Sequence, residues 1–318
     1  MIIEFIRDNL NGDTWEKWCD DCYRDRYQGS NYVKIPASHT GDAGIEGFTN
    51  NGVVYQCYCP ERSYSDDELY EHQRNKVTRD IAKLIDKDNA KRLSELGVRY
   101  VKEWHFVIPE YKDKRIIEHL ESKRKEVSEA RTNDPDTFSY IDPDIEIVLK
   151  TAEDFKVELV RLIRNPLVDI KLNMAVKSIN DVDWTTCETE KIQNIKRKLK
   201  AIMGTDESDS DFKDMLKFWA EAYLKGIEIM NMLQMSCGPI YEELLNLEQQ
   251  YKKDVSAKSK MNKDNTVNYK LFNEILENFE KTIKEQFECF SVPSIMELKR
   301  DLVSGWLADC SLQFKVGD

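Results

Sequence analysis

The sequence predicts an α/β core, a mixed and partly parallel sheet flanked by helices over residues 1–165, followed by an all-helical domain over residues 166–318. Three observations predict it. Apolar runs of strand length alternate with helix-period segments through the first half of the chain. After Pro166 no convincing strand follows. The long periodic segments there are separated by breakers at Gly204-Thr205-Asp206, Cys237-Gly238-Pro239, the polar stretch 256–266 and Val292-Pro293.

Residues 14–27 read as a helix with Asp13 as N-cap and Trp15, Trp18, Cys19 and Cys22 in one apolar stripe. Residues 32–37 read as a strand, followed by a Gly-rich turn and two short strands near 45–48 and 53–59. One long helix is expected over about 66–96, on the spacing of Val77, Ile81, Leu84 and Ile85. The run V-K-E-W-H-F-V-I-P at 101–109 is a strand, 114–130 a charged helix, 145–149 a strand and 151–164 a helix. Further helices are expected near 188–203, 209–235, 240–254, 269–287 and 294–308. The stripe Phe218, Trp219, Tyr223, Ile227 and Met230 reads as core. The basic run K-I-Q-N-I-K-R-K-L-K at 191–200 reads as a solvated helix face, with DNA contact as the second reading.

The 318 residues carry 41% hydrophobic and 33% charged side chains and a net charge of −12. That balance argues against indiscriminate coating of nucleic acid, so any DNA path must be local. No run is long enough for a membrane span, and no basic leader with a small-residue cleavage site is present; the expectation is cytoplasmic. The eight cysteines read as reduced thiols. Cys19, Cys22, Cys57 and Cys59 could together hold zinc, but the simpler reading is that a helix face (19, 22) packs on a strand face (57, 59). His39, His72, His105 and His119 are scattered, and none takes a role.

The chemistry concentrates in G-D-A-G-I-E-G-F-T-N-N-G-V-V-Y-Q-C-Y-C-P-E, residues 41–61. Asn50-Asn51-Gly52 suits a tight hairpin turn, which brings Glu46 on one arm beside Gln56 on the other. Oxygen ligands on adjacent strands are what a hard cation such as Mg²⁺ takes, and such an ion assists phosphodiester hydrolysis. The plain alternative is that Glu46 is a polar turn residue and Gln56 an edge-strand amide bonded to backbone.

Helix with Glu16, strand, G-D-A-G-I-E-G, strand with Gln-x-Tyr, helix: in this order the residues resemble the PD-(D/E)xK, or restriction endonuclease-like, superfamily. Within it they are similar to the Mrr-type branch and to nuclease-like subunits of bacterial antiphage defence systems. The resemblance covers about residues 13–110. It implies a restriction endonuclease-like fold for the α/β core and a Mg²⁺- or Mn²⁺-dependent DNA endonuclease. Glu46 would be the principal metal ligand, Gln56 would stand at the second acidic position, and Glu16 would be the helix carboxylate. Asp42 would hold the loop. The motif lysine is replaced by Tyr58, whose phenol neither orients water nor offsets charge as an ammonium does. Lys76 on the following helix could supply that ammonium, and Lys83 would touch backbone phosphate. The other outcome of the replacement is an inactive nuclease fold that binds DNA or a partner. The resemblance further implies gating by a partner ATPase or another defence subunit, docked on the helical domain, or self-association through it.

Overall fold

A computed structural model describes residues 1–36, 43–174, 189–309 and 312–314. Asp42 and His39 lie outside the described residues. The chain divides into two compact units, Arg7–Leu162 with Ile2, and Ile163–Asp318 with Met1 and Ile3–Ile6, the last belonging to a short helix α1 (Ile2–Ile6).

In the first unit, α2 (Gly12–Arg26) starts two residues earlier than Asp13 suggested. Asn11 is its cap, and it exchanges hydrogen bonds with Thr14 in a capping box. A five-stranded sheet follows in the order β1 (Val33–Lys34), β2 (Gly47–Phe48), β3 (Val53–Cys57), β4 (Val101–Ile108), β5 (Ile141–Thr151). The pairs β1–β2 and β2–β3 are antiparallel, whereas β3–β4 and β4–β5 are parallel. Parallel pairs need helical crossovers. These are α3 (Asp66–Leu84) with α4 (Lys87–Glu95), and then α5 (Arg115–Asn133).

The single helix expected over 66–96 is two helices. Asp86 caps α4 by accepting from the Asp88 and Asn89 amides, which ends α3 at Leu84. The strand expected at 145–149 runs from Ile141 to Thr151. Pro143 hid its first half, because proline is admitted only at an edge or a bulge. β5 is an edge strand, and its register against β4 shifts between Val101 and Glu103.

Alternation along the strands divides the core. Val54, Trp104, Phe106 and Ile147 pack with Val77 and Ile81 of α3, Leu93 of α4 and Ile116 and Leu120 of α5. On the other face Tyr55 stacks on Tyr23 of α2 with ring centroids 4.0 Å apart, and Trp15 donates to the Val107 carbonyl at 3.3 Å.

The regular elements described in the second unit are helices, apart from a bridge between Leu172 and Phe290. Its long helices are α7 (Thr189–Met203), α8 (Ser210–Ser236), α9 (Gly238–Met261), α10 (Asn268–Gln286) and α11 (Val292–Ala308), preceded by α6 (Lys156–Arg164) at the junction of the units. Proline opens both α9 and α11, where its missing N–H costs nothing. α9 runs through Met261, so the polar stretch at 256–266 does not break it where expected. The apolar stripe of α8 is also rotated from expectation. Phe212, Leu216, Trp219, Gly226, Ile229 and Leu233 are buried, whereas Phe218 and Ile227 are exposed.

The basic run at 191–200 is a solvated face only in part: Arg197 and Lys200 are exposed, but its other cations are engaged within the unit. Lys198 is buried and donates to the carbonyls of Trp306 at 3.0 Å, Leu307 at 2.7 Å and Asp309. Lys191 meets the Asp309 carboxylate at 2.7 Å, and Lys196 meets Glu207 at 2.5 Å. Lys198 thus caps the C-terminus of α11, and Lys191 pairs with the carboxylate just beyond it.

α8 crosses α11 closely. A Cβ on Gly226 would lie 2.9 Å from the Asp301 carbonyl oxygen. The Asp301 side chain is buried beneath, with Arg300 Nε 3.1 Å from Oδ1 and no hydrogen-bond partner for Oδ2. Burial pushes its carboxyl up to about 6 against the pull of Arg300. The folded state therefore holds this proton more tightly than the unfolded chain does. The group's stabilising contribution is complete below about pH 4 and is lost as pH rises through about 6. Asp301→Asn should raise the urea midpoint at pH 7.5 and flatten its fall between pH 4 and pH 7. An unchanged pH slope in the variant would contradict this assignment.

Candidate metal centre

The β2–β3 register pairs Gly47 with Tyr55, which sets Glu46 opposite Gln56. Glu46 N–H donates to the Tyr55 carbonyl at 2.7 Å, and the Ile35 amide donates to the Glu46 carbonyl at 2.8 Å, so this residue is held from both sides. The side chains meet. Gln56 Nε2 donates to Glu46 Oε1 at 2.6 Å, and Cys57 Sγ donates to Oε2 at 2.8 Å. Both lie largely inside the protein, with 9% of Glu46 and 1% of Gln56 exposed. Gln56 Oε1 is buried without a hydrogen-bond partner. That orphan acceptor is notable, because a buried polar group left unpaired is costly.

The hairpin carrying Glu46 is seated from below. Ala43 and Gly44 take positive φ, 51° and 84°, and a Cβ on Gly44 would lie 2.3 Å from the Asp80 carbonyl oxygen of α3. Trp104 Nε1 donates to the Gly44 carbonyl at 3.1 Å. Two residues further on, Glu46 takes its place.

The other expected site residues fall into separate places. Glu16 on α2 is ion-paired with Lys34 on β1 at 3.1 Å. Burial pulls the Lys34 ammonium down, but its bond to Glu16 and the fields of Glu16, Asp20 and Glu46 win, and its affinity for the proton rises. Glu16 and Glu46 thus bear on one cation at the same edge of the sheet. Lys76 and Lys83 converge on Asp80 instead, at 2.8 and 3.1 Å from its fully buried carboxylate. Tyr58 is half-buried against the α3 face of the core, and burial pushes its phenol up to about 12, so it stays protonated at neutral pH.

Sequence reading missed Lys34 and Asp80. Lys34 was legible as the neighbour of the Glu46 arm, had β1 been paired with β2. Asp80 sits at helical spacing with Lys76 and Lys83 but reads as an ordinary charged position of a helix face.

The four cysteines 19, 22, 57 and 59 are buried. The Cys57 thiol is raised by its bond to Cys19 and then by burial, so α2 and β3 meet there as neutral sulfur packing. His105 bridges Tyr23 Oη at 2.7 Å and Glu103 at 2.9 Å, and burial keeps it neutral. His72 lies 4.4 Å from the Tyr64 ring, and His119 bonds Thr78 at 3.0 Å.

Among the described residues no three side chains of His, Cys, Asp or Glu cluster as a metal cage. Gln56 lies outside that residue set. With Glu46, which immediately precedes β2, it places two oxygen-bearing side chains next to each other, one of them bearing the unmet acceptor Oε1. Hard oxygen donors of this kind suit Mg²⁺ or Mn²⁺, which complete their shells with water and substrate oxygens. The donor types suit such an ion, while the contact between the two side chains is made through the Gln56 amide nitrogen rather than through Oε1.

Comparison of the chain with models of protein families, with curated proteins and with solved structures returned no match.

Proposed function

We propose that the α/β unit is a metal-dependent DNA endonuclease of restriction endonuclease-like fold, hydrolysing phosphodiester bonds at Glu46 and Gln56. The observation that carries this reading is the cross-strand pair itself, two residues opposite in register with side chains 2.6 Å apart and an unsatisfied amide oxygen between strands. The element order supports it too, with a helix bearing Glu16, three antiparallel strands, helices, and then a strand parallel to β3. Bound Mg²⁺ or Mn²⁺ would polarise the phosphoryl oxygen and lower the pKa of a bound water. Glu46 and Gln56 would hold the ion, and the Lys34 ammonium, paired with Glu16 and in the field of Glu46, would offset negative charge near it. Tyr58, protonated, would serve as a hydrogen-bond donor. The helical unit would bind a partner ATPase, another subunit of a prokaryotic antiphage defence system, or a second copy of the chain.

Supercoiled plasmid incubated with the protein in Mg²⁺ or Mn²⁺ should be cut, and EDTA should stop the cutting. Glu46→Ala and Gln56→Ala should each lower the rate by about 10³-fold, the size of losing the ion's several kcal/mol of charge stabilisation. A double variant that cuts like the parent would disprove the site.

One observation favours a second reading, an inactive nuclease fold that serves as a DNA- or partner-binding platform. Lys76 and Lys83 are both held by Asp80, and Tyr58 occupies the lysine position. Lys34→Ala and Lys76→Ala separate the two readings. Loss of cutting in either supports catalysis, whereas DNA binding without cutting in any metal supports the platform.

A further inference from the structure

We propose that the cavity beyond the carboxyl ends of β3 and β4 is a nucleotide subsite. In open α/β sheets ligands sit outside the carboxyl ends of parallel strands, where the loops leave a crevice. Here the crevice has a volume of about 210 Å³ between the loop after β3, with Cys59, Arg62 and Tyr64, and the turn after β4, with Pro109, Glu110 and Lys112. Arg7 reaches into the same space and pairs with Glu110 at 2.8 Å. Arg7, Arg62 and Lys112 line it together with Glu61; Arg7 is held by Glu110, and Lys112 lies 3.9 Å from Asp66.

The cations are layered with rings. The Arg62 guanidinium lies 5.2 Å from the centre of the Tyr64 ring, and His72 lies 4.4 Å from the same ring. Planar π-groups stack on nucleobases with little regard for their identity, and guanidinium groups do the same while binding phosphate in a fork. A cavity lined by Arg62 over the Tyr64 ring, with the Arg7–Glu110 and Lys112–Asp66 pairs at its rim, has the chemistry of one nucleotide, its phosphate toward Arg62 and its base toward Tyr64. The loop that lines the subsite follows directly on β3, the strand that carries Gln56. The assignment deepens the nuclease reading and rests on it for the identity of the strand, but binding needs neither metal nor cutting.

The test is calorimetric titration of the full chain in EDTA with 5′-deoxyadenylate, inorganic phosphate and deoxyadenosine. Deoxyadenylate should bind at least about tenfold more tightly than either fragment, because stacking and ion pairing act together. Arg62→Ala and Tyr64→Ala should each weaken it about tenfold, and Tyr64→Phe should restore it. No heat with deoxyadenylate at millimolar concentration, or equal affinity for phosphate alone, overturns the proposal. Glu46→Ala should bind deoxyadenylate like the parent. If the parent cuts plasmid but binds no nucleotide, this inference fails alone; if nucleotide binds and nothing is cut, the nuclease reading fails alone.

Discussion

Lys198→Met is expected to destabilise the helical unit by about 3 kcal/mol and to lower its thermal midpoint by roughly 10 °C. The substitution keeps most of the stem's volume, so the loss isolates the ammonium. That ammonium is the donor for three carbonyls at the end of α11, those of Trp306, Leu307 and Asp309. The last carbonyls of any helix lack partners within it. At this end Asn194 also donates to the Ala308 carbonyl at 3.0 Å, but its single amide cannot replace three bonds. Without the ammonium, buried acceptors go unpaired and a cation leaves the negative end of the helix dipole. Thermal melting followed by circular dichroism reads the effect. A midpoint within a degree or two of the parent would mean that water reaches those carbonyls and Lys198 caps nothing.

Gly44→Ala is expected to cost at least about 3 kcal/mol in the α/β unit, more than the ordinary penalty of about 1 kcal/mol for alanine at positive φ. The excess comes from space. With φ at 84° and a Cβ position 2.3 Å from the Asp80 carbonyl oxygen, either the turn or α3 has to move. Movement there also breaks the bond from Trp104 to the Gly44 carbonyl and shifts Glu46, two residues along. Urea denaturation should therefore show a lower midpoint. Plasmid cutting, if present in the parent, should fall at temperatures where the variant is still folded. A parent-like denaturation curve would show that the turn does not rest on α3.

Much of this architecture was legible because two signals are strong in the chain. Apolar period separates the strands of residues 101–108 and 53–57 from the helices around them, and Gly-Pro or Val-Pro pairs punctuate the helical half. Turn chemistry at Asn50-Asn51-Gly52 set the hairpin register, and with it the pairing of Glu46 and Gln56, which the structure brings to 2.6 Å. What escaped was tertiary. Whether Lys198 is a surface cation or a buried cap depends on where α11 ends, more than a hundred residues away. Lys76 and Lys83 looked available because Asp80 looked like surface, yet it is buried under the Gly44 turn. Phe218 and Ile227 looked buried because α8 is apolar over most of its circumference, and the sequence alone does not say which side meets α11.

The two margins of the sheet also bear on how copies of this chain could associate. One margin is the two-residue strand Val33–Lys34, too short to template a neighbour. The other is β5, where Pro143 removes a donor and Asp142, Asp144 and Glu146 put like charges along the exposed rail. Among the described residues, continuous hydrogen bonding from one molecule's strands to another's is disfavoured at β1 and along the first half of β5, which leaves side-chain contacts on helices or loops as the route to a multimer. Such a multimer should dissociate on dilution rather than grow into fibres.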